Sequence, residues 1–318
     1  MQPPSRRTFL ALGLLTLTTA CTGHDPTSTA TPGGPDPDLP VRLRAVAATD
    51  TLLTAYDALL AAPGAQTALL QPLRAETAQH RAALSDGIPA ASTGATPGTA
   101  SPTGTPTQAT LAALERQTAQ SRLADLGAAG PPLARLLASV AAANALHAAA
   151  LGAPADQPTP APTATPTPAA TPGAAAPALQ KALSAEHAAV YGYGVVGAHL
   201  PEDQQRTDAR AAYAAHQSQR DTWQRLLSTL GATPTPAAGG YQLPFPVTDP
   251  AGATKLAAHL ETGLTTVYAD LVADLPAPHR PTAATALRDC TLRAHRWGAP
   301  DTPFPGIPDP LPTPTTPN

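Results

Sequence analysis

Cysteine is almost missing from this 318-residue chain. Only Cys21 and Cys290 occur, which excludes a disulfide-built scaffold and a thiolate zinc site. Aromatic residues make up 3% of the chain. With Val and Ile also scarce, a large β-sandwich or a doubly wound sheet is excluded. Charge is low as well, at 13% of residues and a net of −3, so there is no basic footprint for nucleic acid. Beyond the first residues, no segment is expected to reach the roughly 18 apolar residues of a transmembrane helix.

What is abundant is alanine, at 71 positions, and proline, at 40. Alanine inflates the 42% apolar fraction, because it buries far less surface than Leu, Val or Phe. Alanine and leucine head the helix scale, so the expected fold class is all-α. Proline is too frequent for one uninterrupted globule.

The chain opens on Ser5-Arg6-Arg7-Thr8-Phe9-Leu10, followed by the apolar run Ala11-Leu12-Gly13-Leu14-Leu15. A positive start before a short apolar run is an export signal rather than a membrane span. The paired Arg6 and Arg7, with Phe9 and Leu10 behind them, resemble the twin-arginine signal, an address read by the machinery that exports folded proteins. Leu17-Thr18-Thr19-Ala20-Cys21 resembles a bacterial lipobox, although Leu17 lies one position too early and Thr18 fills the preferred place. On this reading Cys21 carries the lipid and holds the chain on the outer face of the cytoplasmic membrane. Each buried methylene contributes about 0.8 kcal/mol to that anchoring. If Cys21 is an unmodified residue past an ordinary cleavage site, the protein is secreted instead.

Proline, threonine, alanine and glycine divide the remainder. The expected organisation is an export signal at 1–20, a lipidated Cys and flexible tether at 21–40, and an N-terminal helical bundle at 41–152 with a disordered insertion at 88–107. A Pro-rich linker at 153–177, a four-helix bundle at 178–299 and a Pro-rich tail at 300–318 follow. Such linkers cannot bury enough apolar surface to offset their ordering entropy. Periodicity of 3.6 residues predicts helices near 41–62, 66–85, 108–127 and 131–151 in the first half, and near 178–200, 205–230, 250–275 and 280–298 in the second. Gly and Pro punctuate the boundaries. Residues 231–250, with Tyr241-Gln242-Leu243-Pro244-Phe245-Pro246, read as a crossover that lays aromatics across the second bundle.

The halves read as diverged copies. The first offers Tyr56-Asp57, His80, Glu115 and His147 on successive helices, and the second Glu186, His216, Glu261 and His295. Glu186 falls on an apolar stripe with Leu179, Leu183, Val190 and Tyr193. His216 lies on a stripe with Tyr213, Arg220 and Trp223, and Glu261 on one with Leu264 and Tyr268. A buried carboxylate is costly unless it is paired, hydrogen-bonded or metal-bound. One solution is a buried polar network: Glu186 with His216, hydroxyls from Tyr193 or Tyr213, and Glu261 paired with Arg220 or His259. Cys290, on the stripe of the last helix, reads as a small hydrophobe.

The phrase Ala185-Glu186-His187-Ala188-Ala189-Val190-Tyr191-Gly192-Tyr193-Gly194, with Arg220-Asp221, His259-Leu260-Glu261 and Phe304-Pro305-Gly306, resembles a family of ferritin-like domains of unknown function. That family occurs in twin-arginine-exported lipoproteins of high-GC Gram-positive bacteria. The resemblance implies a ferritin-like four-helix bundle over roughly 178–306, preceded by a second, diverged bundle. It implies no established activity. A di-iron site of that fold draws on Glu-x-x-His motifs from two helices. Here Tyr213 and Leu292 stand where those glutamates belong. Glu186, His216, Glu261 and His295 remain as a set for a single iron, manganese or zinc ion. No nucleophile, base and oxyanion constellation of an enzyme is legible. The expected role is structural or interactive, with a degenerate one-metal protein as the alternative.

Overall fold

The structure, a computed structural model, describes residues 36–88, 107–153, 175–201 and 203–307. Arg6 and Arg7, expected to form an export signal, Cys21, expected to carry a lipid, and most of each linker lie outside the described residues. Among those described, eight α-helices carry the fold and there is no strand. They are α1 (Leu39–Leu60), α2 (Thr67–Ser85), α3 (Gln108–Asp125), α4 (Pro131–Ala150), α5 (Ala175–His199), α6 (Gln204–Thr229), α7 (Pro250–Asp274) and α8 (Arg280–Arg296). Each begins and ends within three residues of the span that periodicity predicts.

Local chemistry explains the boundaries. Pro sits in the first turn of α1, α4 and α7, where its missing N–H is not needed. Asp203 and Asp249 cap α6 and α7 by accepting from backbone N–H groups of the first turn. Thr107 and Thr110 form a reciprocal cap at the start of α3. Three expected boundaries shift for related reasons. Leu39 and Pro40 are already helical, Thr107 is a cap rather than part of an insertion, and α5 starts at Ala175, inside the expected linker.

Helices α5–α8 form a four-helix bundle, with α5 against α6 and α7, and α7 against α8. Arg296 of α8 closes it by gripping Asp208 of α6 with two hydrogen bonds, at 2.6 and 2.8 Å. In the first half α1 packs on α2 and α3, and α3 on α4. The two bundles share one core rather than hanging apart on a linker. Helix α4 packs against α7 and α8 as well as α3, and a single apolar cluster runs from Val41 and Leu133 through Leu183 and Trp223 to Leu287. Arg135 of α4 bonds Asp270 of α7 at 2.7 Å, and Arg280 donates to the carbonyls of Leu126 and Ala129 in the α3–α4 turn.

Helix α4 overturns the expectation that no later segment is apolar enough to span a membrane. Its 20 residues pass that test by length and composition, and 72% of its apolar window is buried inside the protein. A helix apolar on every side is what the centre of a larger core requires.

The expected free tail at 300–318 is also corrected, as far as residue 307. Phe304 is 1% exposed and packs against Ala83 and Val140. The Pro303 carbonyl accepts from His80 Nε2 at 2.6 Å, and the Pro305 carbonyl accepts from the Ser139 hydroxyl at 2.8 Å. Gly306 has φ +79°, and a Cβ there would lie 2.3 Å from the Thr265 carbonyl oxygen, so only glycine fits. Burial of one aromatic ring and satisfaction of two backbone acceptors turn this stretch into a strap touching α2, α4 and α7.

Candidate functional site

Each half encloses a cluster of ionisable side chains. In the second, Glu186, His216 and Glu261 are each 1% exposed or less. His216 stands between the two glutamates, with Nδ1 2.9 Å from Glu186 Oε2 and Nε2 3.1 Å from Glu261 Oε1. The Tyr193 hydroxyl donates to Glu261 Oε1 at 2.6 Å. The Tyr268 hydroxyl donates to Glu186 Oε1, and Trp223 Nε1 donates to that hydroxyl at 3.2 Å. From α8, Arg293 Nε donates to Glu261 Oε1 at 2.7 Å.

Electrostatics follow from these contacts. Burial pulls His216 down, but its bonds to Glu186 and Glu261 outweigh that and raise it to about 9, so at neutral pH it is an imidazolium donating from both nitrogens. Burial pushes Glu261 up, and Arg293 with His216 overcomes that, holding it at about 2. Burial first, and then the adjacent glutamates, push the Tyr193 and Tyr268 phenols up, so both stay protonated donors.

Three residues assigned to this site on sequence grounds lie elsewhere. The His295 side chain is 53% exposed and bonds Asp301, because it sits at the edge of the α8 stripe rather than on its buried face. Arg293 takes the position facing Glu261 instead. Arg220 pairs with its neighbour Asp221 at 2.7 Å, a contact within reach of water that needs no burial. Tyr213 contributes ring packing to the cluster around Tyr193 and Val196, not a hydroxyl to the carboxylates. Cys290 is buried, and Arg293 donates to its sulfur at 3.2 Å.

The first half holds a second cluster that the sequence reading resolved only in part. Glu115, fully buried, accepts from the Tyr56 hydroxyl at 2.7 Å, from Asn144 Nδ2 at 2.5 Å and from His147 Nδ1 at 3.2 Å. His147 Nε2 reaches Glu76 Oε2 at 3.1 Å. Arg122 donates to Asn144 Oδ1 at 2.6 Å and to the Thr49 hydroxyl at 2.8 Å. Burial lowers Arg122 to about 10 against the pull of Glu115, while Glu115 and Glu76 overcome burial to raise His147 to about 9. Arg122 went unassigned in sequence. The available signal was a basic residue on the buried face of α3, which demands an acceptor.

Neither cluster fits a metal ion. A metal needs an imidazole lone pair, and both nitrogens of His147 and of His216 point at carboxyl oxygens. In the second cluster a guanidinium is already seated on Glu261. Among the described residues no group of three or more His, Cys, Asp or Glu side chains is arranged to hold a metal ion.

Residues 178–309 match the family described as Domain of unknown function (DUF4439). A domain of that family is present in this chain. The crystal structure of a conserved hypothetical protein from Mycobacterium tuberculosis is 36% identical, aligning 40% of this chain with 97% of that one at a TM-score of 0.38. None of the curated proteins matches the chain. The DUF4439 domain holds the whole Glu186–His216–Glu261–Arg293 cluster and the strap, whereas the Glu115 cluster lies ahead of it.

Proposed function

We propose that this is a lipoprotein whose ferritin-like bundle, fused to a second bundle, serves a structural or interaction role on the outer face of the cytoplasmic membrane. The observation that carries the reading is the closure of both polar clusters. Every nitrogen of His147 and His216 meets a carboxyl oxygen, and the glutamates between them take tyrosine, asparagine and arginine donors. Buried networks whose charged members pair with one another fix helix register and specify one core. Both ring nitrogens of each imidazole are engaged, so neither histidine offers a lone pair to a metal. Export through the twin-arginine machinery is supported by Arg6 and Arg7, and lipid anchoring by Cys21 at the end of the apolar run.

A single-metal reading has one observation in its favour: Glu261 Oε2 is buried without a partner. Elemental analysis of the purified protein separates the two. The network reading expects substoichiometric metal and a thermal transition unaffected by chelator. Stoichiometric iron, manganese or zinc that disappears in Glu186→Ala and His216→Ala would overturn it. Anchoring is checked by fractionation: Cys21→Ala is expected to release the protein into the medium, and a variant that stays with the membrane contradicts lipidation.

A further inference from the structure

His80 does not belong to the network that holds His147. It is fully buried, its Nε2–H is committed to the Pro303 carbonyl, and its Nδ1 has no partner. The ring lies between two neighbours. His147 stacks on it with centroids 5.7 Å apart, and Phe304 meets it edge-on at 5.4 Å. The strap that His80 holds is the stretch of chain lying on α2, α4 and α7 together.

We propose that residues 303–306 form a latch across the two bundles that acid opens by protonating His80. A proton can enter only at Nδ1, where no acceptor waits and where the imidazolium of His147 stands alongside. The groups acting on the ring are His147 from α4, Arg122 from α3 and the Pro303 carbonyl of the strap. Glu76, one turn back on α2, is engaged with His147. Burial first, and then His147, hold docked His80 well below its ordinary value, with the Pro303 contact acting the other way. Lifting the strap exposes the ring to water, so the released form takes the proton more readily. Stability of the docked form is therefore complete above about pH 6.5 and falls as pH drops below it. Each further unit shifts the equilibrium about tenfold toward release while the docked ring stays neutral.

Three other buried ionisable groups do not interfere. His147 and His216 titrate near 9 and Glu261 near 2, so none of the three changes charge between pH 7 and 4.5. His295 Nδ1 lies 2.8 Å from Asp301 Oδ1, just ahead of the strap.

Hydrogen–deuterium exchange of the Phe304, Gly306 and Ile307 amides in the full chain, corrected for intrinsic rates, tests the latch. Protection is expected to drop tenfold or more between pH 7 and 5. His80→Gln keeps a donor for Pro303 but cannot charge, so its protection is expected to be flat over that range. Phe304→Ala sets the released reference, exchanging fast at both values. Unchanged protection in the wild-type chain, or a wild-type pH dependence in His80→Gln, overturns the proposal. Should His80→Gln fail to fold, NMR titration of the wild-type His80 ring decides. Ring protonation and loss of strap protection must share one midpoint, and a charged His80 beneath a protected strap refutes the latch.

Discussion

The two polar clusters are built from one vocabulary arranged in different ways. Each sets two carboxyl groups against one imidazolium and one guanidinium, and in each a tyrosine of the bundle's first helix donates to a glutamate of its third, at 2.7 Å in one and 2.6 Å in the other. The bridging histidine has changed helix. His147 stands on the fourth helix of its bundle and reaches a glutamate on the second, whereas His216 stands on the second and reaches a glutamate on the first. The arginine has changed partner too. Arg122 is 2% exposed and rests on neutral Asn144 and Thr49, while the Arg293 side chain is 23% exposed and sits on Glu261 itself. A four-helix core evidently constrains the balance of donors and acceptors at its centre more tightly than which helix supplies them.

Removing the central glutamate should have the largest effect in either cluster. Glu115→Ala and Glu261→Ala each strand buried donors and are expected to cost about 3–5 kcal/mol in urea denaturation. Glu115→Ala should sit at the upper end, because Arg293 can turn toward water and Asn144 cannot. Equal or negligible losses would erase the distinction.

Alkaline pH should loosen both clusters together. His147 and His216 are raised above the ordinary histidine value, so their contribution is complete below about pH 6.5 and is lost as pH rises through about 9. The loss is of order 3 kcal/mol per histidine. His216→Gln should halve the slope, and a flat stability profile from pH 6 to 10 would contradict the imidazolium assignment. Glu261 works in the opposite direction, its contribution being present above about pH 4.5 and lost as pH falls toward 2.

Tyr56→Phe and Tyr193→Phe each delete one donor to a glutamate and should cost about 1–2 kcal/mol, nearly the same in both bundles. The smallest effect is expected for Arg122→Met, within about 1 kcal/mol of neutral, since replacing a buried charge by an apolar side chain removes its desolvation penalty. Arg293→Met should be distinctly worse, as it leaves Glu261 without its cation.

Helix positions were readable because alanine and leucine recur at helical spacing and Gly or Pro closes each run. Glu186, His216 and Glu261 were readable because an acid or imidazole on an apolar stripe must face inward. Arg293 was missed although it lies three residues after Cys290 on the same stripe. His295 drew the assignment because a metal motif calls for histidine, and the motif outweighed the geometry. Tyr268 was legible as core, not as a donor, since a phenol on a stripe gives no sign of which oxygen it meets. The strap was illegible for a different reason: Pro-Phe-Pro-Gly has no period, and its burial depends on a groove that exists only once both bundles are together.

Helix α4 carries a consequence for anyone who would trim the molecule. It serves as the shared inner wall of both bundles, so severing the chain between residues 153 and 175 would leave α7 and α8 with a bare greasy flank and α4 without its cover on that side. The DUF4439 region of this chain is thus expected to clump when produced by itself, and the smallest piece that keeps its shape runs from α1 through Ile307.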